Sequence, residues 1–197
     1  MKDNQSLALE RLDWTTIIIY VALVLFGWMN IYSAAYDFQH PSLFDFSQEY
    51  GKQFIWILVS FFLAVTTLYV EGDFFNKLAI FIYGFFVLLL VLVLIVGKEV
   101  NGAKAWFGIG DFGIQPSEFS KIGVGLLLAK YISSSGSQFK NWKTRGVAAA
   151  IIGLPALLIL KQPDVGSVLT FTAFIFAMYR EGLSGNVLII GLGAIVF

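Results

Sequence analysis

The sequence predicts an all-α membrane protein, a polytopic bundle of transmembrane helices, and three observations predict it. Apolar residues fill 58% of the 197 positions and charged residues only 13%, well below the roughly 25% charge of soluble domains, so most of the chain must face something other than water. The apolar runs recur along the chain and approach the roughly 20 residues that a bilayer-crossing helix needs. Stretches such as IFIYGFFVLLLVLVLIV, Ile80 to Val96, lack the residue-by-residue alternation of a transmembrane barrel strand.

Taken in order, the apolar runs place spans at about 14–32, 52–70, 78–96, 117–132, 146–160 and 164–179. The first could be mistaken for a signal peptide, because Ser33-Ala34-Ala35 imitates a cleavage site. Its apolar run is too long for that role, and the leader MKDNQSLALERLD carries both signs of charge. A seventh run starts at 187, and NVLIIGLGAIVF stops at Phe197. The expectation is a single transmembrane domain over 1–197 with six complete spans and part of a seventh, truncated at its carboxyl end, since a half-inserted span leaves its backbone without partners. The fifth span reads as short, about 15 residues, and the fourth and sixth barely cross. Short spans of this kind often border an internal site instead of lipid.

Orientation follows from the basic residues. With the amino terminus inside, the inner segments hold Lys2, Arg11, Lys77, Lys130, Lys140, Lys143, Arg145 and Arg180, and the outer ones Lys52, Lys98, Lys104, Lys121 and Lys161. The bias is densest in SSSGSQFKNWKTRG, which is therefore cytoplasmic. The loops 33–51, 97–116 and 161–163 then face outward. Trp14, Tyr32, Tyr131, Trp142 and Tyr179 fall near the expected interfaces, as belt aromatics do.

Composition also excludes chemistry. The net charge is zero and no basic tract exists, so nucleic acid is not an expected partner. Cysteine is absent and His40 is the only histidine, which removes thiolate chemistry, zinc ribbons and histidine-based triads.

What remains gathers at the outer ends of two spans. IQPSE, Ile114 to Glu118, and KQPDV, Lys161 to Val165, repeat one pattern: Gln-Pro, a short polar residue, then an apolar helix. Proline suits a first helical turn because its missing N–H is not needed there. Each segment sets a carboxylate, Glu118 or Asp164, where the helix dipole favours negative charge. Plain capping would account for that much. Lys121, however, lies three residues after Glu118 on the same face, and ionisable residues at the edge of a span are functional candidates. Ser117, Ser120, Gly123 and Gly125 are small enough to admit a helix or a ligand. Trp106 sits beside Lys104 among glycines, where an indole face could stack on a sugar or dip into the interface.

The string NGAKAWFGIGDFGIQPSEFSKIGVGLLLAKY resembles the SEDS family of cell-wall polymerases, whose members carry an N-G-A-[KR]-x-W loop and a Q-P-[SA]-E-x-x-K helix start. KQPDVGSVLTF is similar to that family's second signature, Q-P-D-x-G-[ST]. YREGL, Tyr179 to Leu183, resembles its elongation members more than its division members. The resemblance implies a ten-helix fold, of which this chain would hold about the first two-thirds. It further implies polymerisation of lipid II into glycan strands at the outer face of the cytoplasmic membrane of a bacterium, for elongation and rod shape. The family's catalytic base is expected in an outer loop after the seventh span.

On that reading Glu118, Lys121 and Asp164 form the catalytic group. Lys121 would hold a phosphate of the departing lipid pyrophosphate, aided by helix N–H groups at Ser117 and Asp164. The two acids would orient Lys121, tune its charge or bind a divalent cation, magnesium or manganese, bridging the pyrophosphate. Two nearby carboxylates would also suit acid–base work. Lys104, Trp106, Gln115, Ser117 and Gln162 are the candidate substrate-binding residues. The implied partners are a class B penicillin-binding transpeptidase and other membrane proteins of an elongation complex. A division-type polymerase of the same family and a lipid II transporter are the alternatives. A transporter would need polar residues through the whole thickness of the bundle, and spans two and three carry no acid or base inside.

Overall fold

The structure, a computed structural model, describes residues 13–36, 42–100, 102–109, 112–135, 141–186 and Gly193. It divides into two compact units, 1–70 and 71–197. The seventh run from 187 lies outside the described residues except for Gly193, as does His40.

The first unit is an αα pair, α1 (Trp14–Ala34) and α2 (Glu49–Tyr69). Asp13 starts α1 by accepting the Thr16 amide at 3.2 Å and the Thr16 hydroxyl at 2.6 Å, which satisfies one of the amides that a helix start leaves unpaired. Before α2, Asp45 Oδ1 accepts the amide and hydroxyl of Ser47 at 2.9 and 2.6 Å, a local turn of the kind aspartate favours. Tyr50 is fully buried at the join. Trp28 Nε1 donates to the Tyr50 carbonyl at 2.8 Å, Tyr32 meets the Tyr50 ring edge-on at 4.9 Å, and Phe54 lies 5.2 Å from Trp28. Gly51 fits where any Cβ would collide with the Asp45 backbone.

The second unit carries α3 (Gly72–Val96), strands β1 (Lys98–Val100), β2 (Ala103–Ile109) and β3 (Phe112–Ile114), then α4 (Pro116–Ser135), α5 (Trp142–Leu160), α6 (Val165–Thr170) and α7 (Thr172–Arg180). Its core gathers Leu90, Val124, Leu128, Ala148, Ile151 and Ile159 with Phe171 and Met178. In α4 the buried positions Ser117, Ser120, Val124 and Leu128 follow the three-and-four spacing of one helical face. Gly123 lets α3 come close: a Cβ there would lie 3.1 Å from the Tyr83 Cα and from the Phe86 ring. Tyr83 also ties α3 to α5, donating to the Ile151 carbonyl at 3.1 Å.

Among the described residues four helices, α1, α2, α3 and α5, are long and apolar enough to cross a membrane. Two expectations about span length change. The fifth expected span is a 19-residue helix and the fourth a 20-residue one, about 30 Å at 1.5 Å per residue, so neither is short. Polar residues at the ends of α4 and α5, continuing the helices past their apolar runs, concealed that length. The sixth expected span, 164–179, is divided at Phe171 into α6 and α7. There Thr170 turns its hydroxyl back onto the Ser167 carbonyl at 2.7 Å, a bond that competes with the helical ladder.

The glycine-rich segment expected as an irregular loop is instead an antiparallel three-stranded sheet in the order β1-β2-β3. Val100 pairs with Ala103 and Ile109 with Phe112, so two positions of sequence separate the strands at each end. Gly102 takes φ 81°, which the turn requires and glycine permits. The sheet begins two residues after α3 and ends two before α4, which places Gln115 at the lip of the α4 start.

Candidate functional site

The two Gln-Pro segments meet in space. Gln115 Nε2 donates to Asp164 Oδ2 at 2.7 Å, across 49 positions of sequence. Asp164 is at the same time the N-cap of α6, its Oδ1 accepting the Ser167 amide at 3.1 Å. Ser117 lies under this pair, fully buried, with its hydroxyl 3.3 Å from Ser167 Oγ and 3.5 Å from Asp164 Oδ2. A hydroxyl has one proton to give, and the carboxylate is the stronger acceptor, so Ser117 donating to Asp164 while Ser167 donates to Ser117 satisfies all three groups. Ser120 closes the buried face by donating to the Ser117 carbonyl at 2.8 Å.

Beside this buried face, on the adjoining side of α4, the character changes. Lys121 Nζ bonds Glu118 Oε2 at 2.8 Å, with their side chains 26% and 53% exposed, so the ammonium is partly sheltered and its partner is free to swing. A pair this exposed contributes at most about 1 kcal/mol to stability. It can therefore open to receive another anion at small cost. No ion pair joins Asp164 to Lys121: the acid of the second segment braces the buried network, and the acid of the first holds the lysine.

The other sequence candidates have different surroundings. Lys104 donates to the Ile95 carbonyl at 2.9 Å, where a cation suits the unpaired carbonyls at the end of α3. Trp106 is half-buried, and its ring covers Gly113, where a Cβ would lie 2.9 Å from the indole. Gln162 is fully buried; its Nε2 lies 3.4 Å from the Leu90 carbonyl and its Oε1 has no hydrogen-bond partner. A buried acceptor of this kind calls for a water or a ligand donor. The structure thus brings Gln115, Ser117 and Asp164 into one network and Glu118 with Lys121 into a pair, while Lys104 and Gln162 bond elsewhere and Trp106 packs over Gly113. Ser167, the last residue of the second segment's pattern, was not singled out from sequence, although Asp164 three residues before it makes a capping pair readable.

Among the described residues no three His, Asp or Glu side chains come together as a metal centre. Asp164 has both oxygens engaged by protein donors, which leaves Glu118 as the exposed carboxylate of the site.

Residues 13–197 match the model of the cell cycle protein family of FtsW, RodA and SpoVE. The chain is 34% identical over 168 residues to the peptidoglycan glycosyltransferase RodA of Treponema pallidum, covering 84% of this chain and 37% of that one. It is 32% identical over 162 residues to the stage V sporulation protein E of Bacillus subtilis, covering 79% and 43%. The crystal structure of the rod shape determining protein RodA of Thermus thermophilus superposes with a TM-score of 0.81 at 30% identity, over 94% of this chain and 59% of that one. A chain from a peptidoglycan synthase complex, in which polymerization and crosslinking are coordinated, superposes at 0.77 over 95% and 53%. The chain thus spans about two-fifths of the length of these curated relatives. With a family match over nearly its whole length and a shared fold, this chain is a multi-pass membrane protein that belongs to the FtsW/RodA/SpoVE family, the SEDS proteins.

Proposed function

We propose that this chain forms part of a peptidoglycan glycosyltransferase of the elongation type, which polymerises lipid II at the periplasmic face of a bacterial inner membrane. The observation that carries the reading is the 2.7 Å bond from Gln115 to Asp164. It joins the two Gln-Pro segments on the side that the lysine and arginine asymmetry assigns to the exterior. The name of the Treponema relative, a peptidoglycan glycosyltransferase, supports the activity. The synthase complex that shares the fold supports a crosslinking partner, here a class B penicillin-binding transpeptidase among other elongation-complex membrane proteins.

The reaction joins the 4-hydroxyl of one sugar to the anomeric carbon of another and expels a lipid pyrophosphate, on which negative charge grows. Lys121 meets that charge: it leaves Glu118 for a phosphate oxygen, and Glu118 takes it back when the product departs. Asp164, Gln115, Ser117 and Ser167 fix the start of α4, so that Lys121 is delivered to one place. Gln162 offers its unpaired acceptor to a substrate donor. Lys104 and Trp106 shape the sheet beside the site, where sugar or peptide would lie. A magnesium or manganese ion arriving with the pyrophosphate would take one ligand from Glu118 and the rest from phosphate and water, as magnesium commonly does.

The test is lipid II polymerisation by the gene's full product, beside Lys121→Met. We expect a loss of about 100-fold or more, the range for removing one electrostatic donor to a transition state, with the melting temperature nearly unchanged. Wild-type turnover by a folded Lys121→Met protein would overturn the assignment.

A further inference from the structure

At the opposite end of α4 lies a second constellation, unconnected with the Glu118 end. Leu126, Ala129, Lys130 and Ser133 of α4 face Gly72, Phe75 and Asn76 of α3 across a cavity of about 230 Å³. Both sets follow helical spacing, so each is one stripe of its helix. The helices touch at Gly123, where the backbone of Tyr83 comes close. Towards this end small residues, Gly72, Ala129 and Ser133, leave the space between them unfilled.

Lys130 distinguishes the cavity from a packing gap. Its ammonium donates to the Asn76 carbonyl at 2.8 Å, a neutral acceptor. Lys104 is likewise held by a backbone carbonyl, at the other end of α3, whereas Lys52, Lys121 and Arg180 each have a carboxylate within 4 Å. Among the described residues Lys130 has none. One N–H is used and two remain, beside the Asn76 amide and the Ser133 hydroxyl, while Phe75 and Leu126 form apolar walls. Asp73 and Glu71, the nearest acids in sequence, do not line the cavity, nor does Lys77. The lysine and arginine asymmetry puts this end on the cytoplasmic side, where anionic lipids attract basic groups.

We propose that this cavity binds the phosphate of an anionic phospholipid from the cytoplasmic leaflet. Lys130 supplies the charge, Asn76 and Ser133 supply neutral donors, and the acyl chains run out along the apolar faces of α3 and α4. The cavity has room for a phosphate and its glycerol but not for a whole lipid, which suits an occupant that lies mostly in the bilayer.

Native mass spectrometry of the detergent-purified chain tests this, with dioleoyl phosphatidylglycerol and phosphatidylcholine as probes. The wild type should retain phosphatidylglycerol preferentially, and Lys130→Gln should cut that preference about tenfold. Lys77→Gln removes the same charge outside the cavity and should leave the preference intact. Ala129→Leu keeps the charge but fills the cavity, and should lose the preference as Lys130→Gln does. Equal losses from both lysine variants would mean a diffuse surface field and overturn the proposal, as would full retention by Ala129→Leu. Displacement of phosphatidylglycerol by equimolar inorganic phosphate would also overturn it, in favour of a free-anion site. If Lys130→Gln does not fold, Ala129→Leu decides the question, since it leaves every charged group in place.

Discussion

Among the described residues two aspartates begin helices, and they begin them in the same way. Asp13 Oδ1 accepts the Thr16 amide at 3.2 Å, and Asp164 Oδ1 accepts the Ser167 amide at 3.1 Å. Their second oxygens differ. Asp13 Oδ2 takes the hydroxyl of the same Thr16, within one turn. Asp164 Oδ2 takes the Gln115 amide nitrogen from 49 positions away and sits above the buried Ser117. Capping explains the first oxygen of each, so it cannot mark a site. A second oxygen spent on the start of another helix can, because it ties down the turn of α4 from which Lys121 projects.

The most direct way to break this comparison is Asp164→Ala in the full product of the gene. We expect polymerisation to fall about 100-fold, the scale of an ångström-sized misplacement of a reacting group, and stability to fall by about 1–2 kcal/mol through the lost cap. A folded variant with near-normal turnover would reduce Asp164 to a cap like Asp13. Next comes Gly123→Val, aimed at the packing that seats α4 on α3. The added side chain would press on the Tyr83 backbone, and overpacking of this kind costs about 1–3 kcal/mol. Unfolding in mixed detergent micelles measures it, and an unchanged midpoint would mean that α4 is seated by other contacts. Gln115→Leu is gentler, since it spares the cap and removes only the bond between segments. Stability should fall by about 1 kcal/mol, an ordinary hydrogen bond, with a larger proportional loss of activity than of stability. The reverse pattern would make the bond structural.

The helices were legible because apolar runs of near-membrane length have few other uses. Their ends were not. Glu49, Gly72, Trp142 and Ser135 extend the helices beyond the apolar runs, and hydropathy does not see a helix that continues into polar surroundings. The sheet was legible in principle: Asn101-Gly102 between KEV and AKAWFGI is a strong two-residue hairpin signal. It was outweighed by the glycines around it, which read as loop. Of the site, the Glu118 and Lys121 pair could be read from a three-residue spacing. The bond from Gln115 to Asp164 could not, because no local rule says which of several polar residues 49 positions apart will meet. That Lys104 would be drawn to the end of α3 was equally hidden, since its acceptor is a backbone carbonyl and leaves no mark in the sequence.

The smallest effect belongs to Asp13, and its value lies in being small. Its carboxyl is held below the ordinary 3.8, first by the Thr16 hydroxyl and next by the Thr16 amide. A lowered folded pKa means that the cap's contribution is fully present above the unfolded value near 3.8. It fades as pH falls through the lower folded value. Hydrogen exchange at the first turn of α1, expressed as protection against the unstructured rate at each pH, should therefore stay level down to about pH 4 and decline below it. Asp13→Ala should lower the protection and flatten the profile. Because Asp13 is exposed and, among the described residues, its carboxylate bonds only within its own turn, the decline should stop at that turn, leaving later α1 amides and polymerisation unchanged. A change that reached further would mean that Asp13, like Asp164, holds more than its own helix.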